Sequence, residues 1–174
     1  RIYKFKVRSR NTIGTSADSA EYTVIGASKP DKPIAFVRND SDTSKTQVAF
    51  TWSAPPDDGG STILDYQVEK DDSNNGVYET VATVLSSSHT ETGLSAGNAY
   101  KFRVRARNAV GYSENSDVFT IIAATTPSKP ATPSTTLNGD QSLVILDWSE
   151  PTDTGGLTID GYRVEIKTSV GTWL

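Results

Sequence analysis

Apolar and polar residues alternate one by one along most of this chain. Tyr100, Phe102, Val104 and Ala106 alternate with Lys101, Arg103, Arg105 and Arg107, the period-two pattern of a strand with one buried face. The same alternation marks Val48, Phe50 and Trp52, then Leu64, Tyr66 and Val68, and more loosely Val77, Thr80 and Val81. Turn signals separate these runs: Pro55-Pro56-Asp57-Asp58-Gly59-Gly60, Asp71-Asp72-Ser73-Asn74-Asn75-Gly76 and Ser95-Ala96-Gly97-Asn98. No stretch carries a helical period. Short strands broken by a turn about every 8–12 residues predict an all-β fold, a β-sandwich of seven strands.

The pattern also repeats at long range. Tyr3-Lys4-Phe5-Lys6-Val7-Arg8-Ser9-Arg10-Asn11 returns as Tyr100-Lys101-Phe102-Arg103-Val104-Arg105-Ala106-Arg107-Asn108, a shift of 97 positions. Trp52, Pro55, Gly59, Gly60 and Tyr66 return as Trp148, Pro151, Gly155, Gly156 and Tyr162, a shift of 96. A fixed period means tandem copies of one unit, and the period sets the unit's size. The first motif sits late in the unit and the second early, so residues 1–26 close one copy, 27–126 form a complete one, and 127–174 open a third. The middle copy is the one expected to fold on its own. Ser28-Lys29-Pro30-Asp31-Lys32-Pro33 echoes Ser128-Lys129-Pro130-Ala131-Thr132-Pro133. Paired prolines fix φ and hold their predecessors extended, so the links should be stiff and the string a semi-rigid rod. They also blunt an edge strand.

Composition narrows the class. Hydrophobic residues at 35% and charged residues at 22% fit a globular chain, and no apolar run is long enough to span a bilayer. A unit of this size buries enough apolar surface to fold without disulfides or metals. The chain has no cysteine, hence no thiol chemistry. A formal charge of −4 argues against nucleic acid as the main ligand.

Trp52, the Pro55-Pro56 to Gly59-Gly60 turn, Tyr66-Gln67-Val68-Glu69, Thr92-Gly93-Leu94 six residues ahead of Tyr100, and Asn108-Ala109-Val110-Gly111 together resemble a fibronectin type III domain. The resemblance implies tandem immunoglobulin-like seven-stranded β-sandwiches, one complete and two partial: the last strands (F, G) in 1–26, a whole repeat in 27–126, and strands A, B, C and the start of C′ in 127–174. It places Trp52 and Trp148 inward on the second strand, with Tyr66 and Tyr162 facing them from the third. Leu94 with Tyr100 resembles the tyrosine corner, where a phenol packs inside and its hydroxyl bonds upstream backbone. All six are expected in the core.

Four features compete for a chemical role. Lys101, Arg103, Arg105 and Arg107 share an outward face, repeated by Lys4, Lys6, Arg8 and Arg10, and so form a candidate anion or partner surface. Asp65, Gln67 and Glu69 on the neighbouring strand should neutralise it by cross-strand pairing. Asp57-Asp58, Asp71-Asp72, Asp40, Asp42 and Asp153 lack the spacing of a calcium loop and suit turn formation, so no metal is expected. His89, the one histidine, is expected on a surface or loop, and with no phosphate loop or thiol nucleophile the chain is expected to be no enzyme and to need no cofactor. Asn39-Asp40-Ser41 is a glycosylation triplet, which makes Asn39 a candidate glycan site in a secreted protein. No Arg-Gly-Asp occurs, and Gly111-Tyr112-Ser113-Glu114-Asn115-Ser116 lacks the paired Trp of cytokine receptors.

The resemblance therefore implies a non-catalytic structural or interaction repeat of a larger protein, a spacer, adhesion or filament-building module with protein partners or self-association into an array. No membrane insertion is expected, and polysaccharide is the weaker partner. An extracellular or cell-surface home is expected, with a cytoplasmic, cytoskeletal one as the alternative. The second functional reading is an accessory spacer of a secreted polysaccharide-degrading enzyme, and the third a repeat of a giant cytoskeletal protein. The mid-unit ends read as a window on a longer chain, against the alternative that ends of two molecules, one of them Gly171-Thr172-Trp173-Leu174, join into one sandwich.

Overall fold

The computed structural model describes residues 1–71, 75–139 and 143–167, and every regular element in it is a strand. In chain order these are β1 (Ile2–Phe5), β2 (Tyr22–Ile25), β3 (Ile34–Arg38), β4 (Gln47–Ser53), β5 (Asp65–Asp71), β6 (Glu79–Val84), β7 (Ser88–Thr92), β8 (Ala99–Arg107), β9 (Phe119–Ile122), β10 (Ser134–Leu137) and β11 (Val144–Asp147). They form a three-stranded sheet ordered β3-β4-β7, a four-stranded sheet ordered β6-β5-β8-β9, and two hairpin-like pairs, β1-β2 and β10-β11. All pairings are antiparallel.

The two larger sheets share one core. Val48, Phe50 and Trp52 of β4 meet Tyr66 and Val68 of β5 and Tyr100, Phe102, Val104 and Ala106 of β8, closed by Leu94 and Ile121. Strand β8 keeps the alternation of its sequence along its whole length, paired with β9 from Ala99 to Phe102 and with β5 from Lys101 to Arg107. Its register with β5 runs unbroken from Asp65↔Arg107 to Asp71↔Lys101.

Two expected strand positions fall elsewhere. Leu64 precedes β5 and Val77 precedes β6, and both are exposed because each lies past the end of the paired region. The loose phase of Val77, Thr80 and Val81 has a cause as well. The β5–β6 register steps from Val68↔Ala82 to Glu69↔Thr80, so Val81 is an extra residue, a bulge that lets Val81 and Ala82 both touch the core. A second irregularity, between Ile34 and Val37, kinks edge strand β3 just after Pro33 and sets Ala35 at φ 54°. That left-handed conformation is unusual for a residue with a Cβ. Of the expected turn residues, Asp72, Ser73 and Asn74 lie outside the described residues, as does the Gly171 to Leu174 end.

Candidate functional site

The aromatic pair comes first because it fixes the rest. Trp52, 4% exposed, meets Tyr66 edge to face with ring centroids 5.5 Å apart. Burial raises the Tyr66 phenol above its ordinary pKa. Leu94 and Tyr100 are buried beside them, and the Tyr100 hydroxyl accepts a hydrogen bond from the Ser95 backbone N–H at 2.9 Å. Trp148 and Tyr162 make the same edge contact at 5.4 Å but are 39% and 44% exposed. They line an open pocket with Pro130, Leu146 and Val164. Among the described residues no second sheet lies over β10 and β11, so this pair has one layer of cover where Trp52 has two.

The basic face is a paired ladder. Arg103 Nε donates to Glu69 at 2.6 Å, Arg105 Nε donates to Gln67 at 2.6 Å, and Arg107 forks onto Asp65, each across the β5–β8 register. The hydrogen bond from Arg107 to Asp65, then their Coulomb attraction, raises the pKa of its guanidinium further. Aromatic rings interleave with the cations: Arg103 lies 4.0 Å from the Tyr78 ring centroid, and Tyr112 sits under Arg105 and Arg107 at 4.6 and 5.5 Å. Lys101 has no ion pair among the described residues. In the earlier copy Lys4 pairs with Glu21, and Lys6 and Arg8 with Asp18.

A signal missed in sequence holds the far side of β8. Ser113 and Ser116 each place a hydroxyl as acceptor for a β8 amide, Ala106 N–H at 3.0 Å and Val104 N–H at 2.9 Å, while their own amides donate to the same two residues' carbonyls. Ser16 and Ser19, 97 residues earlier, do the same for Ser9 and Val7. The Ser-x-x-Ser spacing was visible in the stretch set aside for lacking tryptophan.

His89 is not on a surface loop. It lies in β7 with its side chain turned inward, edge-on to Phe50 at 5.8 Å, and its Nε2 is 3.0 Å from Glu91. Glu91 also receives Lys70 Nζ from the opposite sheet at 2.7 Å. The Ser-rich approach to His89 reads as a loop, but inward His89 and Glu91 continue the period of β7 and seal the open edge between the sheets.

The carboxylates serve turns and cations. Asp57 and Asp58 accept from Gly59 N–H and Gly60 N–H at 2.8 Å, Asp71 accepts from Asn75 N–H and Gly76 N–H, and Asp40 pairs with Arg38. Among the described residues no three His, Asp or Glu side chains converge as a metal site. Asn39 is folded into its own loop: its Nδ2 donates to Asp42 at 2.7 Å, and its Oδ1 accepts from the Ser41 hydroxyl at 2.7 Å.

The Pro-Pro-Asp-Asp-Gly-Gly turn grips the preceding link. Ser28 N–H donates to Gly59 O and Asp31 N–H to Asp57 O, both at 2.9 Å. A Cβ on Gly59 would strike the Ser28 carbonyl, and its φ of 72° already demands glycine. Buried Asn108 joins the grip, its Nδ2 donating to Ser28 O and Asp58 O at 2.7 and 2.8 Å while its Oδ1 holds its own turn. The later copy repeats the grip with Thr125 N–H to Gly155 O and Ser128 N–H to Asp153 O. Ser28 therefore corresponds to Thr125 and Asp31 to Ser128. This corrects the echo of Ser28 with Ser128: Asp31-Lys32-Pro33 matches Ser128-Lys129-Pro130, a shift of 97 and not 100.

The fibronectin type III domain profile matches residues 33–122. The chain is 35% identical to titin of Drosophila melanogaster over 97% of its own length and 1% of titin's. It is 32% identical to Exoglucanase B of Cellulomonas fimi over 93% of its length and 15% of that protein's. For human myomesin-2 the figures are 30% identity, 99% and 12%. Among solved structures, a run of titin domains superposes with a TM-score of 0.57 at 30% identity, covering 69% of this chain and 40% of the other. The chain thus spans a small fraction of each curated relative.

Proposed function

We propose that this chain, which belongs to the fibronectin type III family, is a non-catalytic structural repeat of a larger protein that spaces and orients the segments on either side of it. On this reading residues 1–26 close one repeat, 27–126 make a whole one and 127–174 open the next. The observation that carries it is the recurrent grip of a Gly-Gly turn on the link before it, at Gly59 and again at Gly155. Support also comes from the serine pairs 97 residues apart and the two Trp–Tyr contacts 96 apart. The relatives are repeat modules from titin, from myomesin-2 and from a bacterial exoglucanase.

The paired state of Arg103, Arg105 and Arg107 favours a face that stiffens the sheet over one that captures anions, because each guanidinium is already hydrogen-bonded across the strands and Glu69 and Asp65 offset part of the charge. The partners of this reading are proteins, including further copies in a filament or array. The home is extracellular, with Asn39 as the glycan position, or cytoskeletal. The 32% identity to Exoglucanase B favours a second reading, a spacer in a secreted enzyme of that kind. Small-angle scattering of the repeat region tests the primary one. A maximum dimension that grows by one unit length per added repeat is expected, whereas a compact particle would overturn the spacer role. A catalytic domain found elsewhere in the full-length protein would select the second reading.

A further inference from the structure

The link between the middle unit and the one after it contains no free span. Arg38 donates to Ile122 O at 3.0 Å and Ala124 O at 2.5 Å, and Ala123 exchanges backbone bonds with Gly97 and Asn98, so residues 122–124 are tied to the middle unit. The next residue, Thr125, is already bonded to Gly155 of the following turn. Consecutive residues are thus held by opposite units, which leaves no backbone torsion to swivel about unless one set of bonds breaks.

The two units also touch directly. In the Asp153-Thr154-Gly155-Gly156 turn the first glycine lies against its own link: a Cβ on Gly155 would strike the Thr125 carbonyl. The second faces the other unit. A Cβ on Gly156 would sit 3.4 Å from Ala96 Cβ, Gly97 N and Lys45 Cγ, and one on Gly97 would come within 2.5 Å of Gly156 O and 3.7 Å of Leu157 Cδ2. Lys45 Nζ completes the contact with a 2.9 Å ion pair to Asp153.

We infer that Lys45, Ala96 and Gly97 form a receiving surface for the Asp-x-Gly-Gly turn of the following repeat, and that this surface fixes the orientation of one repeat on the next. The inference rests on reading 127–174 as the opening of that repeat. The chemistry it selects is a second unit bearing a carboxylate two residues before a Gly-Gly pair. A side chain at the second glycine is disfavoured by its φ of 95°, and a Cβ there would already stand in contact with Ala96 and Gly97 at 3.4 Å. Lys45 is the long-range guide and the glycines are the close fit.

Because the chain lacks cysteine, spin labels can be placed at will. Labels at Thr83→Cys and Thr136→Cys, both exposed, span the two units, and a control pair at Thr136→Cys and Glu150→Cys lies within the following one. The unaltered chain should give one narrow distance for each pair by pulsed electron–electron resonance. Lys45→Glu should broaden the spanning pair and leave the control narrow, as should Gly97→Ala. The melting of the 27–126 unit, followed in parallel, shows whether Gly97→Ala acts at the junction or within its own turn. A spanning distance already broad in the unaltered chain with a narrow control, or one that stays narrow through Lys45→Glu, overturns the receiving surface. A control pair that is itself broad overturns the repeat reading beneath it.

Discussion

At the scale of single residues, equal motifs carry unequal weight. Trp52 has sheets on both sides, so Trp52→Ala should cost about 3–5 kcal/mol, the usual loss for deleting a core aromatic. Trp148→Ala removes an indole that is already 39% exposed and should move the main unfolding transition by less than about 0.5 kcal/mol. Urea melts of the two variants compare them directly, and equal losses would mean that the indoles share one core. Tyr100→Phe is finer. The ring stays packed, but the Ser95 N–H loses its 2.9 Å acceptor, for an expected loss of about 1 kcal/mol with the denaturant slope unchanged. The Glu91 carboxylate bridges Lys70 and His89 between the sheets, and its side chain is largely shielded from water. Glu91→Gln removes the negative charge from the Lys70 ammonium and should cost about 1–3 kcal/mol in the same melts. Replacing both ends of the pair, Lys70→Met with Glu91→Leu, should recover most of that, since a desolvated pair is offset by apolar packing.

Among the elements, β8 is held along its outer edge by the serine pair where β9 stops. Its inner neighbour β5 supplies a full ladder, but β9 pairs only from Ala99 to Phe102, and beyond that Ser116 and Ser113 take over. Ser116→Ala leaves the buried Val104 N–H unpaired, an expected loss of about 1–3 kcal/mol. Amide exchange should quicken at Val104 before it quickens on the β5 side, and uniform acceleration would show that the hydroxyl is dispensable. This element also measures what the sequence made legible. The alternation of Tyr100 to Ala106 and the facing Asp65, Gln67 and Glu69 could be read directly, because period and charge are local properties that a regular strand preserves. Val77 and Leu64 were misplaced because alternation does not announce where pairing stops. His89 was misplaced because a run of serines looks like a loop until Phe50 and Glu91 are seen beside it. The link was aligned three residues out, since Ser-Lys-Pro is a stronger word match than Asp31-Lys32-Pro33 with Ser128-Lys129-Pro130. Only the hydrogen bonds to Gly59 and Gly155 establish the latter.

For the whole molecule, stiffness depends on what holds unit to unit, and Asp153 stands at that point. It accepts the Gly155 N–H at 2.8 Å and receives Lys45 Nζ at 2.9 Å. Its pKa is lowered chiefly by the Gly155 amide and secondly by Lys45. A carboxylate with a lower pKa in the folded state contributes stability that is fully present above its unfolded pKa and is lost as pH falls through the folded one. The junction should therefore keep its orientation through neutral and mildly acid solution and loosen only below the ordinary carboxylate range. The spanning spin-label distance, followed from neutral pH downward, reports it. Loosening near pH 6, well above the carboxylate range, would point away from Asp153. Lys45→Gln separates the two causes. With the Gly155 amide untouched the folded pKa stays depressed, so the acid transition should move only part of the way back toward an ordinary aspartate. Salt should act differently, because it weakens the exposed 2.9 Å Lys45–Asp153 attraction only as the screening length shrinks to about 3 Å near 1 M, and it leaves the amide bond intact. A junction that opens in high salt at neutral pH is held by the ion pair, and one that stays closed is held by the Gly97–Gly156 contact and the doubly bonded link between Ala124 and Thr125.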